Sequence, residues 1–385
     1  MATHLSYSGT PYADEALVEE LITELGVTHI RDGWPADDVG LAERALALAD
    51  RGVRITFVHD PREGGSPAEQ HARVRDNLVE AVEAAESLNE PDRSGGDWAA
   101  RSIEWTRALS EAYRGDSRTD HVLLLAPSIA KTNDRGAHRA LADLKGVVDR
   151  GNTHDYPGKD VVMSTKIIDT VLRNQAEIVG DAPVIATETG YSDGPVDAPY
   201  EVVSQEEIAV LLPGLFLEHF RRGIARTFAY ELLDEGTGRS FEDNFGLVEH
   251  DGTPKPSFVA LRNMIGLLAA PAVECGQPDF VFSVEDGDEH LRSLVLRGGE
   301  DQYFLALWRQ ERPGSRPDSA VRVTVDNAVD EVRHFRPTQD QRPVRITAGG
   351  EIEVEVSSAV TFLEVNGVRG VLSPPSSGNA TAPDR

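Results

Sequence analysis

From its first residues to about residue 270 the chain alternates short apolar runs with amphipathic ones. This alternation constrains the fold more than any single motif, because repeated strand–helix units bury their apolar faces around a parallel sheet. The strand-like runs fall at residues 3–7, 27–31, 53–59, the stretch ending at Glu90, 122–126, 146–154, 183–188 and 225–232. Helix-like runs follow at residues 14–25, 38–51, 67–79, 98–114, 165–179, 204–221 and 256–268. The first begins with acidic residues and carries Leu17, Leu21 and Leu25 on one face. Eight strands and roughly eight helices are the parts of a (β/α)8 barrel, which takes roughly 250 residues.

Beyond Pro271 the texture changes. Residues 280–284, 291–296, 302–308, 321–325, 351–356 and 360–364 alternate in polarity, joined by Gly, Asp and Pro turns without helices between them. That pattern predicts an antiparallel β-sandwich. The expected class is therefore α/β: a (β/α)8 TIM barrel over residues 1–270, a β-sandwich over 271–370 and a disordered tail over 371–385. The tail is Pro, Ser, Ala and Asn with almost nothing to bury.

Charge narrows the partners. The net charge is −27, and the cations are 33 Arg but only 5 Lys. So negative a surface repels nucleic acid and anionic lipid, and neither is expected as a partner. A lone Cys275 excludes an internal disulfide framework. No apolar stretch approaches the ~20 residues that cross a bilayer. The first residues show no signal-peptide pattern, so the expected location is cytoplasmic, or secreted if an upstream segment was removed. No metal or cofactor is expected. His-x-x-x-His, cysteine-pair, calcium-loop and Gly-Lys-Ser/Thr phosphate-loop patterns are missing, as is a Gly-x-Ser-x-Gly elbow.

Two segments carry the chemistry. Ser87-Leu88-Asn89-Glu90-Pro91 and Ala186-Thr187-Glu188-Thr189-Gly190 each follow a strand-like run and present a glutamate where the strand gives way to a loop. In a βα barrel that end holds the active site. The glutamates are 98 residues apart, about three strand–helix units, which places them three strands apart at one mouth. Two facing carboxylates suffice to cleave a glycosidic bond. Pro91 drives Glu90 out of the helical region, and a barrel mouth beside a second carboxylate is expected to raise its pKa. Gly190 lets substrate approach the backbone beside Glu188. Taken singly, Glu90 is a loop acid before a proline, and Glu188 is a strand-end acid awaiting an arginine.

Leu88-Asn89-Glu90-Pro91-Asp92 and Thr187-Glu188-Thr189-Gly190-Tyr191 resemble the acid/base and nucleophile motifs of clan A retaining glycoside hydrolases. The resemblance covers residues 1–270, and the sandwich is similar to that of β-xylosidase-like and glucanase-like members. It implies that Glu90, after strand four, is the acid/base and Glu188, on strand seven, the nucleophile. Asn89 would bind a sugar hydroxyl. Arg31, ending strand two, would hold the nucleophile, unless it pairs with neighbouring Asp32. His154 and Tyr156, one residue apart, would lie beside Glu188 with the tyrosine donating to it. Many members carry a tryptophan on strand eight as a subsite floor, where this chain has Tyr230. His59 reads as a sugar ligand or a capping histidine, and Trp34 as a sugar-stacking ring. Glu231 and Asp234 are further acids at the mouth, whereas Trp98, Trp105 and Trp308 read as packing residues. The implied activity is β-glycoside hydrolysis of an oligosaccharide or polysaccharide. The alternative is a carbohydrate-binding protein that keeps the barrel without turnover.

Overall fold

The computed structural model describes residues 1–269 apart from 37 and 39, and residues 281–371 apart from 286, 300–301, 326, 329–330, 348–349 and 367–368. Cys275 and residues 372–385 of the expected tail lie outside the described residues. The chain forms two compact units, Met1–Ile265 and Gly266–Arg385.

In the first unit, β1 (His29–Gly33), β2 (Arg54–Val58), β3 (Val82–Glu86) and β4 (Leu123–Leu125) pair in parallel and in order. A second parallel run joins β5 (Gly151–His154), β6 (Val184–Thr189) and β7 (Ile224–Ala229). Backbone bonds close both gaps. Asp149 N–H donates to Leu124 O at 2.8 Å, and Ala126 N–H to Arg150 O at 3.0 Å. On the other side Arg31 N–H donates to Met1 O at 2.9 Å and Ala2 N–H to Ala229 O at 2.8 Å. Residues 1–3 thus serve as the first of eight parallel strands, and Ala84, Leu125, Ile185 and Phe228 fill part of the interior. The periodicity predicts that strand at residues 3–7. The chain instead turns away after Thr3, because the Asp32 carboxylate captures the Thr3 hydroxyl and the Leu5 N–H at 2.7 and 3.0 Å.

The helices outside the barrel are α1 (Glu15–Leu25), α2 (Leu41–Asp50), α3 (Pro67–Asn77), α4 (Trp98–Arg114), α5 (Arg135–Arg139), α6 (Thr165–Val179), α7 (Gln205–Arg221) and α8 (Pro256–Leu268). Four of the longer ones start at side-chain caps: Asp14 on α1, Ser164 on α6, and capping boxes Ser66/Glu69 and Ser204/Glu207 on α3 and α7. In α1 the buried face is Val18, Leu21, Ile22 and Leu25, and Gly26 ends the helix at φ 76°. The short α5, capped by Asp134, has no apolar period for the sequence to reveal.

In the second unit, strands β8 (Phe282–Glu285), β9 (Leu291–Arg297), β10 (Gln302–Arg309) and β11 (Ser319–Val325) are followed by β12 (Asn327–Ala328), β13 (Glu331–Phe335), β14 (Arg345–Thr347), β15 (Glu351–Val356), β16 (Thr361–Asn366) and β17 (Arg369–Val371). One antiparallel sheet orders β14-β13-β16-β10-β9 and another β15-β11-β8. Alternate residues such as Val321, Val323, Ile352, Val354 and Val356 join Leu305, Leu307 and Val365 in one apolar core. Their neighbours on β15 are exposed, as a half-buried strand requires. The sequence pattern omits β13 and β14, in which Glu331, Arg333 and Arg345 interrupt short apolar stretches.

Candidate active site

The parallel strands deliver their charged residues to one end. Arg31 on β1, Glu86 at the end of β3, His154 at the end of β5 and Glu188 on β6 are all nearly buried. A bulge on β6 sets the last two side by side: Thr153 pairs with Ala186 but His154 pairs with Glu188, so Thr187 is the extra residue. Thr187 then braces the imidazole, its Oγ1 lying 3.0 Å from His154 Nε2 and donating to Asn152 Oδ1 at 2.7 Å.

Arg31 is the organising cation. Its Nη1 donates to Glu188 Oε1 at 2.6 Å, its Nε and Nη2 to Glu86 at 2.7 and 2.9 Å, and Nη2 also to Asn89 Oδ1 at 2.9 Å. Of the two readings open for Arg31, the structure shows the pairing with Glu188; Asp32 instead binds Thr3 and Leu5. Glu86 is fully buried, which opposes ionisation, yet Arg31 and His154 outweigh burial and hold its pKa down at about 2. Sequence reading missed Glu86. The available signal was a carboxylate four residues before Glu90 within an apolar strand, which needs a buried cation.

Tyr156 donates from its hydroxyl to Glu188 Oε2 at 2.8 Å. His154 Nδ1 lies 3.1 Å from Glu90 Oε1 and 3.4 Å from Glu188 Oε2. Burial opposes the imidazolium, but Glu188, Glu86 and Glu90 together raise the His154 pKa to about 9. One carboxylate oxygen of Glu90 and one of Glu188 lie within 4.8 Å of each other.

Glu90 takes φ 50° and caps a single helical turn, Pro91–Ser94. Its N–H donates to Ser128 Oγ at 3.1 Å, and Arg93 reaches its Oε2 at 2.5 Å. The expected rise in its pKa is overturned. Burial pushes it up, but the hydrogen bond and charge of His154, with Arg93 and Arg31, bring it below the usual value. The second carboxylate is evident in the sequence, whereas the imidazolium between the two, 64 residues from Glu90, is not.

The remaining candidates divide. Asn89 is at the site, held by Arg31 and by its own N–H donating to Asp60 Oδ2 at 3.1 Å. Tyr230 is there too; its ring meets His4 and Phe245 edge-on at 5.7 and 5.4 Å, and burial and the nearby charges of Glu231 and Glu188 raise its pKa far above 10. His59 is not brought to the site. It is buried with Nδ1 2.9 Å from Phe57 O and Nε2 2.9 Å from the Tyr113 hydroxyl, leaving no ring nitrogen for a sugar. Trp34 is likewise buried, 5.8 Å from the Phe57 ring, with Nε1 donating to Asp38 O at 3.1 Å. An exposed stacking face is lost.

Asp234 is taken by Lys255 at 2.8 Å, while Glu231 accepts from Tyr12 at 3.1 Å and lies 3.2 Å from His4. His4, Glu231 and Glu235 offer ligand atoms within 4.8 Å of one another, as do Glu90, His154 and Glu188; these are the two groups among the described residues with the donors to hold a cation. A cavity of about 670 Å³ lies away from the carboxylates, among Arg54, Glu80, Val82, Glu83 and His121. No helix among the described residues is long and apolar enough to cross a membrane.

No family model matches the sequence, and no curated protein matches it. Solved structures do. A family 39 glycoside hydrolase from Bacteroides cellulosilyticus WH2 superimposes with a TM-score of 0.71 at 16% identity, over 95% of this chain and 80% of that one. The fold is that of the clan A glycoside hydrolases. A glucosidase from Croceicoccus marinus matches with a TM-score of 0.61 at 12% identity, over 91% of this chain and 92% of its own. An endo-laminarinase from Formosa reaches 0.51 at 13% identity, over 66% of this chain and 84% of its own. At such identities the likeness is one of fold.

Proposed function

We propose that the chain is a retaining glycoside hydrolase that cleaves a β-glycosidic bond, with Glu188 as nucleophile and Glu90 as acid/base. The observation that carries this reading is that one oxygen of Glu90 and one of Glu188 lie within 4.8 Å of each other, both beside His154 Nδ1. Retaining enzymes hold them about 5–5.5 Å apart, whereas inverting ones need about 6.5–9.5 Å to admit a water. Arg31 and Tyr156 donate to the two oxygens of Glu188 and fix its aim.

In the first step Glu188 forms a bond to the anomeric carbon while the bond to the leaving oxygen breaks, and Glu90 gives that oxygen a proton. His154 and Glu90 together hold the proton. Glu188 is the largest of the influences that raise the His154 pKa. As the charge of Glu188 is spent on the sugar, the imidazolium loses that support, and the shared proton is driven through Glu90 to the leaving group. Glu90, ionised again, then takes a proton from the water that releases the sugar from Glu188.

The rival reading, carbohydrate binding without turnover, draws on the low pKa of Glu90 in the free site. A panel of aryl β-glycosides separates the two. Steady aglycone release by the wild type that vanishes in Glu188→Ala supports the hydrolase. Saturable sugar binding without release from any member supports the binder.

A further inference from the structure

A cleft of about 590 Å³ opens beside Glu90, and Arg93, Lys131, His154, Tyr156 and Tyr200 also line it. Its size falls within the roughly 300–1,000 Å³ typical of small-molecule sites. The walls include the proposed acid/base and its histidine but not Glu188. In a double displacement the leaving group departs toward the acid, so this cleft lies on the leaving-group side of the cleaved bond.

Tyr200 is 43% exposed. A lone exposed aromatic is ordinary, and its surroundings are what single this one out. Its ring is held edge-on by Phe241 at a centroid distance of 5.9 Å. Gly158, at φ 62°, lies alongside; a Cβ there would sit 3.6 Å from the ring. The ring is therefore positioned by packing while much of it stays open to a cleft that also contains Glu90. Exposed Lys131 and Lys159 add hydrogen-bond donors to the same walls. A fixed aromatic surface with polar donors around it suits a pyranose, which is apolar on its faces and ringed by hydroxyls.

We infer that the cleft binds the leaving-group portion of an oligosaccharide or polysaccharide, with Tyr200 as its stacking platform. The substrate is then a carbohydrate chain that continues beyond the cleaved bond, and Tyr200 selects it over a glycoside with a small aglycone. The inference rests on the proposed hydrolase reading and specifies the substrate class for that site.

The test compares kcat/KM for an aryl β-glycoside with that for β-1,3- and β-1,4-linked pentasaccharides of the same sugar, in wild type, Tyr200→Ala and Tyr200→Phe. In Tyr200→Ala the pentasaccharide value falls about three- to tenfold further than the aryl-glycoside value, the scale of one aromatic contact. Tyr200→Phe, which keeps the ring, restores it. Equal losses on both substrates, or a loss that Phe does not restore, would overturn the assignment. Where neither an aryl glycoside nor a pentasaccharide is cleaved, the hydrolase reading fails instead. Calorimetric binding of the pentasaccharides then decides on Tyr200 separately: a weaker Kd in Tyr200→Ala supports the cleft, and an unchanged one removes it.

Discussion

His154 Nδ1 lies 3.1 Å from Glu90 Oε1, so the proposed acid/base shares its proton with an imidazole whose pKa is raised to about 9. On the proposed mechanism the proton is stored on nitrogen and delivered through oxygen. Acid catalysis then ends when the pair loses that proton, not when an isolated glutamic acid would.

The first prediction concerns pH. The profile of kcat/KM should hold on the alkaline side and decline as pH rises through about 9, the His154 value in the free protein. In His154→Gln the alkaline limb should move down by a unit or more, toward the range of a carboxyl group. An alkaline limb that stays in place in this variant would remove His154 from the proton inventory.

The same histidine affects stability, with a definite sign. Its pKa is about 9 folded and about 6.5 unfolded, so its contribution is complete below pH 6.5 and lost as pH rises to about 9. The loss is on the order of 3 kcal/mol, from 1.36 kcal/mol per pH unit. Thermal melting of the wild type should therefore drop across that window, and His154→Gln should flatten the decline.

Arg31 and Glu86 form a buried pair, the guanidinium donating to both carboxylate oxygens at 2.7 and 2.9 Å. Arg31→Met leaves Glu86 buried without its main cation and should cost about 3–5 kcal/mol in chemical denaturation. Adding Glu86→Leu should recover much of that stability without restoring turnover, because Glu188 still lacks the Arg31 donor at Oε1. Recovery of activity in the double variant would mean that Arg31 serves only Glu86.

Tyr156→Phe removes the 2.8 Å hydrogen bond to Glu188 and little else. On aryl glycosides kcat should fall on the order of ten- to a hundredfold, with a melting temperature close to that of the wild type. An unchanged kcat would show that Arg31 alone positions the carboxylate.

How much of this the sequence discloses depends on the kind of interaction. Regular amphipathic segments are legible: residues 98–114 and 165–179 are read from periodicity, and α4 and α6 have those bounds. The pairing of Tyr156 with Glu188 follows from the resemblance and the spacing of His154 and Tyr156. What stays hidden is set by contacts distant in sequence. The Asp32 carboxylate ends the first strand at Thr3, and Tyr113 and Phe57 occupy both nitrogens of His59. Glu86 resembles any acid in a strand until Arg31, 55 residues earlier, closes on it. The low pKa of Glu90 has the same origin, since it depends on an imidazole 64 residues away.

The most direct measurement is covalent trapping. A 2-deoxy-2-fluoro β-glycoside with a good leaving group slows release of the sugar from the enzyme, and the labelled peptide can be sequenced by mass spectrometry. One fluorosugar per chain, attached to Glu188, is the predicted result. A label on any other residue, or full aryl-glycosidase activity in Glu188→Ala, would contradict the assignment of Glu188 as nucleophile.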